Sequence, residues 1–127
     1  MATTSPSNLE PADFGQVEIA TTELDGYTVN LLHVKQPVDM SIMLRGLPGD
    51  ICHCPHWGVV TEGRMTVRYA EHEEVVGAGD VFYMPPGHVP TYDIGTRLIQ
   101  FSPTEEMRIV DEAIMRNHRL LAGAGPA

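Results

Sequence analysis

The stretch Gly49-Asp50-Ile51-Cys52-His53-Cys54-Pro55-His56-Trp57-Gly58 places two thiols and two imidazoles within five residues. A second block, residues 79–90, contains a Pro-Pro-Gly turn that is followed by a further imidazole, His88. Sulfur and imidazole are donors that first-row transition metals favour in proteins. Between the two blocks, residues 59–67 predict two strands around a Glu-Gly turn. Together the blocks predict a scaffold of strands and turns that holds a pocket.

Short segments bounded by turn residues extend this strand pattern along most of the chain. They carry β-branched and aromatic residues, and Gly, Pro, Asp and Asn separate them. Strands of this length at intervals of roughly ten residues, without helices between them, are typical of an all-β sandwich or small barrel. The predicted segments are 16–20, 27–34, 40–44 (weakly alternating), 52–61, 64–69, 73–76, 81–84, 91–92 and 97–101.

The composition restricts the class of protein. The chain has 127 residues, of which 43% are hydrophobic, enough for one domain with its own core. Its 17 acidic and 8 basic residues give a net charge of −9, which argues against nucleic acid and anionic membranes as partners. The sequence has neither an apolar run of membrane-spanning length nor a secretory signal. It therefore predicts a cytoplasmic protein.

The chain divides into three predicted parts. Residues 1–11 are polar and lack hydrophobic periodicity, which predicts a flexible N-terminal tail. Residues 12–102 contain the strand segments. After them, Pro103 stands near a first helical position, acidic residues follow in the first turn, and apolar residues recur at helical spacing. This predicts a helix over residues 103–122 that packs either on the strands or on a second subunit.

The order of strand, donor residues, turn, strand and Pro-x-Gly resembles the cupin family. The second cupin motif is Gly, five spacers, Pro-x-Gly, two spacers and His. Gly79, Pro85 and Gly87 match it, whereas Pro90 stands in the His position and His88 is the nearest imidazole. The resemblance covers about residues 46–103. It implies a cupin-type β-barrel, a jelly-roll-like double-stranded β-helix, to which the C-terminal helix is added.

The first cupin motif departs further from the usual pattern. With Gly63 as the anchor, His56 takes the glutamate position, and Asp50 and Cys52 take the two histidine positions. The resemblance therefore implies the scaffold but not the usual site of three histidines and one glutamate. An altered set of metal donors remains, with or without Asp50: Cys52, Cys54, His56 and His88. These donors suit a divalent transition metal such as iron, zinc or copper.

The geometry of a strand leaves the pairing of these donors open. In a regular strand Cys52, Cys54 and His56 point to one face, and His53, a backup ligand, points to the other. Cys52 and His56 would then lie about 13 Å apart, too far to share one metal ion. A bend at Pro55 would bring them together. Without a bend, Cys54 and His56 are the better pair, and His88 joins them from the neighbouring strand.

Each candidate also has a plainer interpretation. Free cysteines are often small buried hydrophobes, and His56 could bond a backbone carbonyl inside the barrel. Trp57, Tyr83 and Tyr92 are candidate pocket-lining residues for a bound ligand, but packing explains these aromatic side chains equally well.

Two classes of function remain in competition. The first is a metal-dependent cupin enzyme acting on a small organic molecule, of the dioxygenase, isomerase, decarboxylase or cyclase kind that the resemblance implies. The second is a non-catalytic sensor or carrier that binds a small molecule or a metal. No catalytic residue can be assigned in either case. A barrel that has lost its site is the least favoured alternative. The family resemblance and the unpaired barrel edge predict a homodimer.

Overall fold

The computed structural model describes residues 2–123, which form ten β-strands followed by one long helix. Short 3-10 turns occur at Pro6–Asn8 and Pro48–Asp50. The prediction of an all-β fold with a C-terminal helix is confirmed. The elements are β1 (Ala12–Asp13), β2 (Val17–Leu24), β3 (Tyr27–Val34), β4 (Val38–Asp39), β5 (His56–Glu62), β6 (Arg64–Arg68), β7 (Glu73–Gly77), β8 (Val81–Met84), β9 (Val89–Tyr92), β10 (Arg97–Pro103) and α1 (Thr104–Gly123).

The strands form two antiparallel sheets. A six-stranded sheet has the order β1-β2-β3-β10-β5-β8, and a four-stranded sheet has the order β4-β9-β6-β7. In the larger sheet, β10 lies between β3 and β5 and pairs with both, as shown by Phe101 opposite Val29 on one side and Trp57 on the other. Because β5 and β6 belong to different sheets, the turn at Gly63 carries the chain from one layer to the other.

This turn requires glycine at position 63, both for its backbone conformation and for lack of space. Its φ of 77° lies in the left-handed region that side-chain-bearing residues rarely adopt. A Cβ atom placed on it would come within 2.6 Å of the Thr96 Cα atom. A larger residue would therefore force the β5–β6 crossing away from Thr96.

An apolar core fills the space between the two sheets. It contains residues from eight strands, β3 to β10, and the side chains alternate onto the inner faces as a two-residue period requires. Burying side chains of this size stabilises the fold by about 1.5–3 kcal/mol each. The apolar core consists of Val34, Val38, Val60, Met65, Val67, Val76, Phe82, Met84, Tyr92 and Leu98.

Helix α1 covers a second, smaller cluster. Its buried face, which includes Met107 and Val110, packs on the segment 44–54 and on the two cysteines. The Asn117 side chain donates hydrogen bonds to the carbonyl oxygens of Met43 and Arg45, at 2.7 and 2.8 Å. The helix thus lies on its own chain and closes one end of the space between the sheets. Within residues 2–123, no helix is both long and apolar enough to cross a membrane.

The structure adds the short strands β1 and β4 to the predicted set and extends β2 to Leu24. Two predicted segments differ further. The predicted segment 40–44 forms turns instead of a strand. The predicted strand over 52–61 begins only at His56, because the chain before it bends through Gly49 and Asp50, both with positive φ, and through Pro55. The predicted tail, 1–11, includes Met1, which lies outside the described residues.

Candidate metal centre

Backbone pairing brings the two sequence blocks together. Cys52 and His88 form an isolated antiparallel bridge, in which the Cys52 amide donates to the His88 carbonyl oxygen at 3.1 Å. The Gly87 amide donates in turn to the Cys52 carbonyl oxygen at 2.8 Å. The Pro-Pro-Gly turn therefore lies directly beside the cysteine segment, and the His88 side chain begins next to that of Cys52.

The bend before β5 brings Cys52 and His56 close together. Their Sγ and Nε2 atoms lie 3.5 Å apart, whereas a straight strand would separate the two residues by about 13 Å. Pro55 lies between them, in the segment that leads into β5. Of the two geometries that the sequence left open, the structure adopts the bent one.

Three donors converge at this point. One donor atom from each of Cys52, His56 and His88 lies within 4.8 Å of the other two. All three side chains are buried, with exposed fractions of 2%, 5% and 0%. We call these residues the three-donor group. Its three members lie in the bend before β5, at the first residue of β5 and in the turn before β9.

Hydrogen bonds at the far side of each ring orient both imidazoles. His88 Nδ1 donates to the Pro85 carbonyl oxygen at 2.7 Å. A carbonyl only accepts, so Nδ1 carries the proton and Nε2 has a free lone pair. His88 Nε2 is buried and has no hydrogen-bond partner within residues 2–123. His56 Nδ1 is hydrogen-bonded to Ser102 Oγ at 2.6 Å, and its Nε2 faces Cys52. Outer partners of this kind orient metal-binding histidines.

The geometry of the three-donor group fits a metal ion. With metal–sulfur and metal–nitrogen bonds of about 2.3 and 2.0 Å, tetrahedral coordination separates S and N atoms by about 3.5 Å. The Cys52–His56 distance of 3.5 Å equals this value. One thiolate and two imidazoles suit zinc, iron or copper. An unpartnered lone pair on buried His88 is otherwise costly, and a metal ion would satisfy it. A buried Cys/His/His group could therefore bind a metal.

Burial sets the protonation states of the metal-free group. Loss of hydration raises the pKa of Cys52 to about 11 and lowers the pKa of His56 to about 3, with a smaller contribution from neighbouring His88. Burial also lowers the pKa of His88. At neutral pH both imidazoles are therefore uncharged and ready to bind a metal, whereas Cys52 must release a proton first.

Comparison with known proteins agrees with the architecture. The AraC-like ligand-binding domain family matches residues 56–114. An RmlC-like cupin from Shewanella frigidimarina has a similar structure, with a TM-score of 0.56 and 16% sequence identity over 79% of this chain and 88% of that chain. The chain has the cupin fold. No curated protein matches this chain in sequence.

Two further solved structures are similar at comparable levels. Iron(II) HppE superimposes with a TM-score of 0.52 and 13% identity, covering 80% of this chain and 60% of that chain. Streptomyces PAC13, solved with uridine, gives a TM-score of 0.54 and 13% identity, covering 81% of this chain and 82% of that chain. At these identities the likeness establishes the fold alone.

The other donors predicted from the sequence lie outside the three-donor group. Cys54 is buried against α1, and its Sγ donates to the Pro55 carbonyl oxygen at 3.5 Å. Burial, followed by the nearby Cys52, raises its pKa to about 12. Asp50 is exposed and accepts a hydrogen bond from the Gly46 amide at 2.9 Å, and His53 Nε2 donates to the Pro48 carbonyl oxygen at 2.7 Å.

The three aromatic candidates lie in two different places. Trp57 and Tyr83 are on the outer face of the larger sheet, with ring centroids 5.1 Å apart and about half of each side chain exposed. Trp57 is adjacent to His56 in β5 and therefore points to the opposite face. Tyr92 is buried in the apolar core, and this burial raises its pKa.

Sequence reasoning missed the residues that hold the imidazoles. Ser102 belongs to β10 and was not among the predicted site residues. A signal for its role did exist. It shares strand parity with Leu98, which lies in the apolar core, so its hydroxyl had to point to the inner face. The Pro85 carbonyl oxygen carries no signal in the sequence.

Proposed function

We propose that this cupin is a metal-dependent enzyme that acts on a small organic molecule, of the dioxygenase, isomerase or cyclase kind. The observation that supports this most is the convergence of Cys52, His56 and His88 with both imidazoles pre-oriented. Three protein donors leave a coordination position open, as catalytic metal sites do. A bound iron, zinc or copper ion would supply Lewis-acid polarisation of a substrate oxygen, or dioxygen binding in the case of iron.

The residues of the chain have separate roles in this proposal. Cys52 supplies the thiolate, and His56 and His88 supply neutral imidazoles. Ser102 and the Pro85 carbonyl oxygen hold the two rings in place. The resemblance to a ligand-binding family, to iron(II) HppE and to a protein solved with uridine supports a metal and a small-molecule ligand.

Metal analysis of tag-free protein by plasma mass spectrometry tests the site. About one metal ion per chain is expected in the wild type, and almost none in Cys52→Ala and His56→Ala. Cys54→Ala and His53→Ala are matched controls from the same segment and should retain the metal. A metal-free wild type after anaerobic reconstitution with iron, zinc and copper would overturn the proposal.

A non-catalytic sensor or carrier is the second candidate, and the burial of all three donors supports it. The two functions differ in whether the metal retains an exchangeable position. We expect azide to change the visible spectrum of the cobalt(II)-substituted protein, because an open position would accept it. An unchanged spectrum at high azide concentration would favour a closed, carrier-type site.

We further propose that this cupin acts as a homodimer in the cytoplasm. The outer face of the larger sheet carries an exposed apolar patch of neighbouring residues on β3, β10, β5 and β8: Tyr27, Phe101, Trp57, Tyr83 and Val81. Contiguous apolar patches of this kind mark interaction surfaces. Light scattering should give about twice the chain mass of 13.9 kDa, and Trp57→Arg should give the monomer mass. A monomeric wild type would exclude the homodimer.

A further inference from the structure

The inner face of the larger sheet changes character along β3 and β10. At one end it presents Val34 and Leu98 to the apolar core. Towards the other end the same face presents Thr28 and Asn30 on β3, and Gln100 and Ser102 on β10, all of them buried. These residues pair directly across the ladder, Gln100 with Asn30 and Ser102 with Thr28. We call this group of four the polar strip.

The polar strip contains two acceptors without donors. Asn30 Oδ1 and Gln100 Oε1 have no hydrogen-bond partner within residues 2–123, although their side chains are only 7% and 8% exposed. The Asn30 amide group donates to Thr21 Oγ1 at 3.0 Å, which leaves the oxygen free. A buried acceptor without a donor destabilises a protein, so two neighbouring ones call for a functional explanation.

The strip leads directly to the three-donor group. Ser102, its last member, is hydrogen-bonded to His56 Nδ1 at 2.6 Å. Gln100 lies two residues earlier on the same strand face, about 7 Å away. His88 Nε2 and Tyr69 OH are the two other unpartnered buried side-chain atoms of the described chain. The Tyr69 and His88 rings are 6.4 Å apart. Unsatisfied polar atoms therefore concentrate around one site.

A groove reaches the strip from the surface. It has a volume of about 360 Å³, lies between α1 and β3, and is lined by Thr28, Thr104, Arg108 and Asp111, among others. This volume falls within the usual range for small-molecule sites. Thr28 belongs both to the groove and to the polar strip, so the groove reaches the strip at its Thr28 end.

We propose that Asn30 and Gln100 form the substrate-recognition wall of the metal centre. The ligand class follows from their chemistry: a small molecule whose hydroxyl or N–H groups donate to the two amide oxygens. A second group of the same molecule lies at the metal. This inference rests on the proposed function, because it places the ligand beside the three-donor group.

The first test uses the metal-free protein and needs no ligand. Gln100→Leu and Asn30→Leu remove an unsatisfied acceptor with little change in volume. Gln100→Leu should raise Tm by roughly 3–6 °C, and Asn30→Leu should raise it less, because it also removes the hydrogen bond to Thr21. Gln36→Leu, at an exposed position, should leave Tm unchanged. A lower Tm in both strip variants would show that these oxygens are satisfied within the fold, and would overturn the proposal.

The second test measures recognition in the cobalt(II)-loaded protein with a matched pair of probes. 3-Hydroxypropionate and butyrate share a carboxylate and a similar size, and only the former has a hydroxyl donor at its end. The wild type and Gln36→Leu should prefer the hydroxy acid by at least about 10-fold, and Gln100→Leu should bind both within about twofold.

The outcomes separate the two proposals. Equal affinity for the two acids in the wild type, or an unchanged preference in Gln100→Leu, would overturn the recognition wall and leave the metal centre intact. Failure of both acids to perturb the cobalt spectrum would contradict an open metal position, and both proposals would then fall.

Discussion

The side chains at the two ends of the space between the sheets are buried to a similar degree, but they differ in chemical character. The apolar core contains side chains such as Val60 and Leu98, which need nothing beyond close packing. The other end, beneath α1, contains the three-donor group and the polar strip, with unpartnered atoms that weaken the fold. One end of the interior therefore supplies stability, whereas the other carries a cost in stability that the proposed binding function would explain.

The largest expected effect follows from removing one residue of the three-donor group. His56→Ala removes one of three donors, and the affinity for zinc should fall by at least about 1,000-fold, or about 4 kcal/mol. Competition with a colorimetric chelator measures it. The metal-free protein should also lose some stability, because the substitution leaves a cavity and an unpaired Ser102 hydroxyl. His53→Ala is the control, and equal zinc affinity in His56→Ala and the wild type would contradict the assignment.

Acid should reduce the stability of the fold through His56, which belongs to the three-donor group. Burial lowers the pKa of His56 from 6.5 to about 3. The unfolded chain therefore binds more protons between those values, and stability is present above pH 6.5 and lost as the pH falls towards 3. Urea unfolding of the metal-free protein at pH 7 and pH 4.5 should show a loss of about 3 kcal/mol from His56.

A matched pair of variants isolates this effect. His56→Gln should reduce the loss, whereas exposed His72→Gln should not. Asp111 acts in the opposite direction, since burial raises the pKa of its carboxyl to about 6. The difference between His56→Gln and the wild type is therefore the quantity to measure. An identical pH dependence in these two proteins would exclude His56 as the source.

A substitution in the apolar core should reduce stability without reducing metal binding. Leu98 is 2% exposed, and Leu98→Ala should reduce the free energy of unfolding by about 3 kcal/mol, because it leaves a cavity between the sheets. Urea denaturation measures this loss. Metal content per folded chain should remain that of the wild type. Loss of metal in Leu98→Ala would show that the two ends are coupled, and would weaken the comparison.

The smallest expected effect concerns Ser102, which orients one ligand of the three-donor group. Ser102→Ala removes the hydrogen bond to His56 Nδ1 but leaves every donor in place. Metal affinity should decrease by about 10- to 100-fold, as for other outer partners of metal ligands. Ser102→Thr retains a hydroxyl and should recover most of the affinity. Equal affinities in the wild type and Ser102→Ala would mean that packing alone orients the ring.

The sequence predicted the scaffold better than the site, for physical reasons. Turns depend on local residue chemistry, so Gly63 and Gly79 located the corners of the sheets. His56 could be assigned to the interior because parity within a strand is local. The choice between Cys52 and Cys54 could not be made locally, because it depends on a bend that the bridge to His88 stabilises. Applied to Trp57, which follows His56 directly in β5, the same parity places its side chain on the opposite face.

The bridge between Cys52 and His88 also has a consequence for the unfolded chain. An ion held by Cys52, His56 and His88 would be a reversible cross-link that closes a loop of about 36 residues, with four strands inside it. Such a link restricts the denatured ensemble much as a disulfide does, but it forms in a reducing compartment. A bound metal would then stabilise the folded chain, quite apart from any chemistry at the site.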